Sequence, residues 1–407
     1  MTSPHNGTDH RSGPDDYFGL ARLLHPLNVT TFREENYEKK PLLIRRDDPS
    51  YFAELLTLAD VDRALHTSGN DLSDFRVVVD GKETPVAELG AGSTLTAVER
   101  IYDRYRSGSS LVLNGIQDRF PALNQLMRAL GAEISARINI NTYLTPAGAR
   151  GFKPHYDMHD VFIVQVHGTK RWQLFGAPLP LPLRSQPYDR SAPEPTEPVS
   201  EFELNAGDVL YLPRGTVHAG TSTDEASLHL TIGIHPILWS NVVAEALQSL
   251  FERDVAYREA LPFGFLGNPE LEQQVEERIA ALIAELPRKV SAEEELRRTV
   301  KAGVALNPPS LEGHLDDLER LERIDKDTEV RRRLSLQWSI ETGAEAVQLH
   351  FHGKTVRLPA HVTDEVRFTA ERRSGVFTPA GIPGELDEPG RVVLVRTLVK
   401  EGFLTVC

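Results

Sequence analysis

The sequence predicts a mainly β protein, a barrel or jelly roll flanked by helical segments, and two observations predict it. From Ile138 to Pro236 the chain is a series of short β-type runs (INTYLT, VFIVQV, RWQLF, VLYL, LHLTIGI) separated by Pro, Gly, Ser and Asp. On either side of this region apolar residues recur at helical rather than alternating spacing. Strands so short and so regularly interrupted suit an antiparallel barrel better than a parallel sheet alternating with helices.

Taken in order, the first 16 residues, MTSPHNGTDHRSGPDD, are polar and rich in Pro and Gly. They are expected to form a disordered tail, without the apolar stretch of a secretory signal. Tyr17–Leu24 and Thr31–Tyr37 have helical spacing, and Pro41–Ile44, between basic flanks, reads as a strand. Tyr51–Leu65 places Phe52, Leu55, Leu56, Leu58, Val61 and Leu65 on one amphipathic helix. Phe120–Leu130 is expected to be helical, with Gly131 as its C-cap. Inside the β region, Gly176–Pro198 holds seven prolines and is expected to be an irregular surface excursion. Beyond Leu238, Asn241–Tyr257 and Glu270–Leu286 read as amphipathic helices of a bundle or a dimer interface. Leu311–Arg332 reads as a charged helical connector, and Leu336–Val406 as a small α+β unit of winged-helix size. The expected division is a tail at 1–16, a β domain at 17–237, a helical region at 238–332 and a terminal module at 333–407.

Composition narrows the function. A chain of 407 residues is two to three ordinary domains long. Its 45 Lys and Arg against 59 Asp and Glu give a net charge of −14, which disfavours non-specific nucleic-acid binding and favours a basic protein or peptide partner. The only cysteine is Cys407, so intramolecular disulfides and all-cysteine metal sites are excluded. Any metal must be held by His and carboxylates. No apolar run approaches the roughly 18 to 20 residues that span a bilayer, so no membrane partner is expected and a cytoplasmic location is.

The chemistry concentrates in Lys153-Pro-His-Tyr-Asp157. His155 and Asp157 are two apart, so in extended chain both leave the same face and can bind one ion. Alone, this pair is equally well a solvated turn. A second imidazole follows about 60 residues later in Gly207-Asp-Val-Leu-Tyr-Leu-Pro-Arg-Gly-Thr-Val-His218, where it suits a neighbouring strand. Two His and one carboxylate cap one face of a metal and leave positions open, the pattern of non-haem Fe(II) oxygenases. A zincin helix is ruled out, because Tyr156 rather than Glu follows His155 and Pro154 opposes helix. A three-His-plus-Glu cupin site would need His where Asp157 stands.

The runs N-I-N-T-Y-L-T-P-A-G (Asn139–Gly148), K-P-H-Y-D, D-V-F-I-V-Q-V-H-G-T-K-R-W and G-D-V-L-Y-L-P-R-G-T-V-H, with the earlier F-R-E-E-N-Y-E-K-K-P-L-L-I-R-R, resemble the JmjC-type 2-oxoglutarate oxygenases of the ribosomal oxygenase (cupin-4) group. The resemblance covers about Thr31 to Pro236. It implies a double-stranded β-helix with Fe(II) on His155, Asp157 and His218, and 2-oxoglutarate and O2 as co-substrates. It also implies Lys170 as the partner of the distal carboxylate of 2-oxoglutarate, and Asn141 and Tyr143 as lining of the co-substrate pocket. A homodimer through residues 238–332 and a winged-helix-like terminal module follow from it too. His229 matches a family position but is expected to be a strand histidine beside the pocket, while His159 and His167 are expected in loops or at the surface. Gly233 stands where a small hydroxyl residue can occur, and the His218–His229 segment is short. The implied reaction is hydroxylation of an amino-acid side chain, with Arg or His of a ribosomal protein first. A natural-product precursor peptide, a free amino acid, lysine demethylation and a non-catalytic dimeric cupin are the alternatives.

Overall fold

A computed structural model of the chain describes residues 18–67, 72–79, 82–85, 88, 96–149, 151–191, 193–307, 311–372 and 375–407, so the tail expected at 1–16 lies outside the described residues. The chain divides into two compact units after Pro236. The first contains α1 (Leu20–Leu24), α2 (Val29–Glu35), β1 (Leu42–Ile44), α3 (Leu58–Thr67), β2 (Phe75–Val79), β3 (Lys82–Pro85), α4 (Ala97–Arg106), β4 (Ser110–Leu113) and α5 (Pro121–Ile134). There follow β5 (Ala136–Thr145), β6 (Asp160–His167), β7 (Thr169–Leu174), β8 (Ser200–Asn205), β9 (Val209–Leu212), β10 (His218–Ser222) and β11 (Ser227–Pro236).

Eight of these strands form one antiparallel sheet in the order β1-β9-β6-β11-β5-β4-β2-β3, and β10-β7-β8 form a second. This two-sheet jelly roll is the expected architecture, with strand periodicity setting its two faces. On β5 and β11, Ile138, Ile140, Leu144, Leu228, Leu230, Ile232 and Ile234 turn to the side packed with the N-terminal helices. The alternate residues Asn141, Tyr143, Thr145, His229 and Thr231 share the opposite face, which looks toward the smaller sheet. Between the sheets Val161, Ile163, Trp172, Leu174, Leu204, Leu210 and Leu212 form a smaller apolar core.

Three elements depart from expectation. The helix expected from Tyr51 begins only at Leu58, because Thr57 and Asp60 cap it: the Thr57 backbone N–H donates to the Asp60 carboxylate at 2.9 Å and the Asp60 N–H to the Thr57 hydroxyl at 3.2 Å. Phe52 and Leu55 are nonetheless buried, from a turn. Helix α5 runs through Gly131 and ends at Ser135, whose φ of 57° supplies the left-handed C-cap residue. Finally, residues 330–332, read as the end of a helical connector, pair as a strand with the chain's C-terminus. Gly176–Pro198 contains no helix or strand among its described residues, as its prolines suggest.

The second unit holds α6 (Trp239–Arg253), α7 (Pro269–Lys289), α8 (Ala292–Gly303), α9 (His314–Arg320), β12 (Val330–Arg332), β13 (Trp338–Thr342), β14 (Ala346–Phe351), β15 (Lys354–Pro359), α10 (Thr363–Glu371), α11 (Glu388–Lys400) and β16 (Leu404–Val406). The meander β13-β14-β15 presents Val347, Leu349 and Phe351 to Val366 of α10 and to Val395 and Leu398 of α11, in one core. Strands β2, β3, β4, β8 and β13 and helices α4 and α8 are additions to the expected elements.

Candidate active site

His155 joins the smaller sheet through a two-way backbone bridge with His218: the His218 N–H donates to the His155 carbonyl at 2.9 Å and the reverse bond is 3.2 Å. That bridge sets the two imidazoles side by side, with ring centroids 4.8 Å apart. Asp157, two residues on, sends its carboxylate between them, 4.0 Å from His155 Nε2 and 3.8 Å from His218 Nε2. All three donor atoms lie within 4.8 Å of one another, so they can converge on a single ion.

The surroundings prepare the donors. His155 Nδ1 lies 2.9 Å from the Lys153 carbonyl and His218 Nδ1 2.9 Å from the Thr216 carbonyl. A carbonyl can only accept, so each Nδ1 carries the proton and each Nε2 presents its lone pair. Burial, reinforced by the neighbouring His155, pushes His218 down to about 4, which keeps it neutral as a ligand must be. Burial would raise the Asp157 carboxyl, but the imidazoles of His218, His159 and His155 outweigh it and hold the group below its ordinary value.

The Pro-Arg-Gly-Thr-Val-His218 run has a mechanical reason. The Gly215 N–H donates to the Asp157 carbonyl at 3.0 Å. At φ 89°, a side chain on Gly215 would lie 2.2 Å from the Leu179 carbonyl oxygen, so only glycine fits. Next to it, Arg214 is buried and bonded to Asp160 at the start of β6, through its N–H at 2.8 Å and its guanidinium at 3.2 Å. The loop that delivers His218 is thereby tied to the strand that follows Asp157.

Beside the triad opens a cavity of about 430 Å³ whose wall includes Tyr143, Thr145, Lys170, Trp172 and His229. Alternation along β7 turns Lys170 and Trp172 inward while Arg171 faces out. Opposite Trp172 stands Gly220. A Cβ there would come within 2.9 Å of the Lys170 side chain and 3.2 Å of the Trp172 ring, so the missing side chain is what leaves room for both.

Lys170 is 3% exposed and its ammonium meets one neutral acceptor, the Thr145 hydroxyl at 3.2 Å, with the Trp172 ring centroid 5.5 Å away. Burial lowers it to about 7. Among the described residues no carboxylate pairs with it, and a buried cation without a counter-charge fits a cavity made for an anion. Two further polar atoms of the wall, Trp172 Nε1 and His229 Nδ1, are buried without a hydrogen-bond partner. His229 stacks on Tyr143 at 5.0 Å, and burial, with the charges of Lys170 and His218, pushes it well down, so its ring is neutral. These features suit a carboxylate-bearing ligand that also reaches the metal donors.

The structure brings His155, Asp157, His218, Lys170 and Tyr143 to one cavity. Asn141 shares their sheet face but is turned aside: its carboxamide oxygen accepts the Gly115 N–H at 3.0 Å and its side chain also hydrogen-bonds Tyr143. His167 ends β6 exposed, whereas His159 is half-buried against His235, with ring centroids 4.5 Å apart. Gly233 has its side-chain position taken by Asn139 at 2.6 Å and His159 at 3.2 Å. Ser110, which donates to Thr145 at 3.1 Å, and Glu83 also line the cavity. Both come from strands distant in sequence, and only the sheet order reveals them.

Comparison with known proteins agrees with this construction. The JmjC domain family matches residues 116–242. Ribosomal oxygenase 1 of Danio rerio is 33% identical over 288 residues, 66% of this chain and 52% of that protein. Ribosomal oxygenase 2 of Mus musculus is 31% identical over 333 residues, 77% of this chain and 70% of that protein. The chain thus spans from about half to 70% of these relatives' length. The Escherichia coli ribosomal oxygenase YcfD, solved in complex with cobalt and 2-oxoglutarate, shares the fold with a TM-score of 0.53 at 18% identity, over 94% of this chain and 98% of that one. With the triad, the jelly roll and the extent of these matches in agreement, the chain belongs to the ribosomal oxygenase family of JmjC-domain oxygenases.

Proposed function

We propose that the protein is an Fe(II)- and 2-oxoglutarate-dependent dioxygenase that hydroxylates an amino-acid side chain, Arg or His, of a basic ribosomal protein. The observation that carries this is the pairing of a three-donor face, His155, Asp157 and His218, with the buried cation Lys170 on one cavity. When bound, Fe(II) with O2 supplies the oxidation in which 2-oxoglutarate becomes succinate and CO2 and one oxygen atom enters a C–H bond of the substrate.

The chain's own groups do the rest. His155 and His218 offer Nε2 lone pairs in fixed tautomers, and Asp157 stays ionised between them. Lys170, held by Thr145, receives the distal carboxylate and gains the counter-charge it lacks. Burial first, then the charges of Glu83 and Asp157, push the Tyr143 hydroxyl up, so it keeps its proton and remains a donor. Val161, Ile163 and Trp172 make the wall apolar and keep water from the oxidising centre.

A homodimer is part of the proposal. On α6 and α7, Trp239, Val243, Ile279 and Ile283 are large, apolar and exposed, as are Phe263 and Leu266 between the helices. Residues 238–332 would then serve dimerisation, except that β12 at 330–332 belongs by its pairing with β16 to the terminal module at 333–407. No helix among the described residues is long and apolar enough to cross a membrane, and a cytoplasmic setting suits the substrate. The experiment is intact-mass analysis of ribosomal proteins incubated with Fe(II), 2-oxoglutarate and the protein. Addition of one oxygen to one of them, absent with His155→Ala, is expected, and no mass change in any of them overturns the substrate assignment. A monomer in sedimentation removes the dimer.

A further inference from the structure

One carboxylate of the cavity wall has no role in holding metal or 2-oxoglutarate. Across the large sheet the register makes a row from β5 to its far edge: Ser110 lies beside Thr145, Val78 pairs with Ser110, and Glu83 pairs with Val78. Residues in such a row share one face, and Thr145, Ser110 and Glu83 all line the cavity of the triad. Lys170 therefore marks the inner end of the row, where it bonds Thr145, and Glu83 the outer end. Three strand spacings, roughly 14 Å along the sheet, separate Thr145 from Glu83.

Glu83 is half-buried. Burial raises its carboxyl above the ordinary value, against the opposing charges of Arg76 and Arg190. Neither arginine pairs with it. Arg76, on the neighbouring strand, gives its Nη1 to the carbonyls of Ser73 and Phe75. Arg190, from the proline-rich loop, and Lys82, the residue before Glu83, line the same cavity and are both exposed, and neither forms an ion pair with Glu83. Among the described residues Glu83 makes no ion pair. An ionised carboxylate withdrawn from water and left unpaired is costly unless a ligand supplies the cation.

We propose that Glu83 is a specificity-determining residue that binds the cationic side chain of the polypeptide substrate, a guanidinium or ammonium group, at the outer end of the active-site cavity. This rests on the oxygenase assignment above and, of its two candidate side chains, favours Arg. The two ends of the cavity then take different groups: Lys170, the buried cation, receives the dicarboxylate, and Glu83, half-buried beside the exposed Lys82 and Arg190, receives the cationic side chain.

The test uses the full chain loaded with Mn(II) and 2-oxoglutarate, and reads paramagnetic broadening of proton resonances of two probes. One is N-acetyl-arginine amide and the other its neutral isostere, N-acetyl-citrulline amide. Wild type is expected to broaden the arginine side-chain protons, and the citrulline ones at least roughly tenfold less; Glu83→Gln brings arginine down to the citrulline level. The 2-oxoglutarate methylene protons report the folded, loaded centre and stay broadened in both proteins. Equal broadening of the two probes by wild type, no broadening of either, or arginine broadening unchanged by Glu83→Gln each overturns the proposal. Loss of the 2-oxoglutarate signal change in wild type itself instead refutes the underlying assignment.

Discussion

The two faces of the eight-stranded sheet are built from the same strands and carry opposite chemistry. Toward the helices, β5, β6 and β11 present Ile140, Leu144, Phe162, Val164, Leu230 and Ile232, all buried in one apolar core. Toward the smaller sheet the alternate positions hold Tyr143, Thr145, His229 and Thr231, and they meet Lys170 and the metal donors. One face is packed with apolar side chains, and the other looks across to a cation whose one hydrogen bond is to the Thr145 hydroxyl and borders two ring nitrogens, Trp172 Nε1 and His229 Nδ1, without partners. The difference teaches that stability and chemistry are assigned residue by residue along a single strand. The apolar face can hold the geometry that the cavity face leaves incompletely satisfied.

That division makes distinct predictions. Removing a donor from the cavity face should have the largest effect: His155→Ala lowers metal affinity more than about 100-fold. Its melting temperature without metal stays near that of wild type, as metal titration and calorimetry would show. Cutting the helix face should do the reverse. Phe162 is fully buried against Phe32 and Tyr211. Phe162→Ala is expected to cost about 3–5 kcal/mol in urea denaturation, with metal affinity of the folded protein near wild type.

Lys170→Met sharpens the contrast, because it exchanges a buried unpaired charge for an apolar side chain. Affinity for 2-oxoglutarate falls about 10- to 100-fold by calorimetric titration, while the ligand-free protein is as stable as wild type or more so. The pH dependence carries the same signature. With Lys170 lowered to about 7, the ammonium is ready-made below that pH, whereas above it each bound dicarboxylate must draw a proton. Binding of 2-oxoglutarate is therefore full below about pH 7 and weakens by up to about tenfold per unit above it. Asn141→Ala should be mildest, a few-fold loss of turnover, since Asn141 acts by orienting Tyr143.

Much of this was legible in the sequence, and for local reasons. H-x-D, the Gly-Thr-Lys-Arg-Trp172 turn into β7 and the Pro-Arg-Gly-Thr-Val-His218 loop are short segments whose spacing sets which face each side chain takes. The same alternation also puts Trp172 beside Lys170. What escaped depends on long-range register. Ser110 and Glu83 reach the cavity only because β4, β2 and β3 extend the sheet beyond β5, and no motif marks them. Asn141 has the right parity for the cavity, yet the turn holding Gly115 claims its carboxamide. The start of α3 and the end of α5 differ from expectation because Thr57 with Asp60, and Ser135 in place of Gly131, supply caps whose strength depends on how the flanking chain is placed.

The most direct measurement is succinate release from 2-oxoglutarate by the Fe(II)-loaded protein under air, in the presence of ribosomal proteins, for wild type, His155→Ala and Lys170→Met. The account predicts succinate matched by oxygen incorporated into protein for wild type, and background for both variants. Wild type that binds Fe(II) and 2-oxoglutarate yet releases no more succinate than His155→Ala would contradict it.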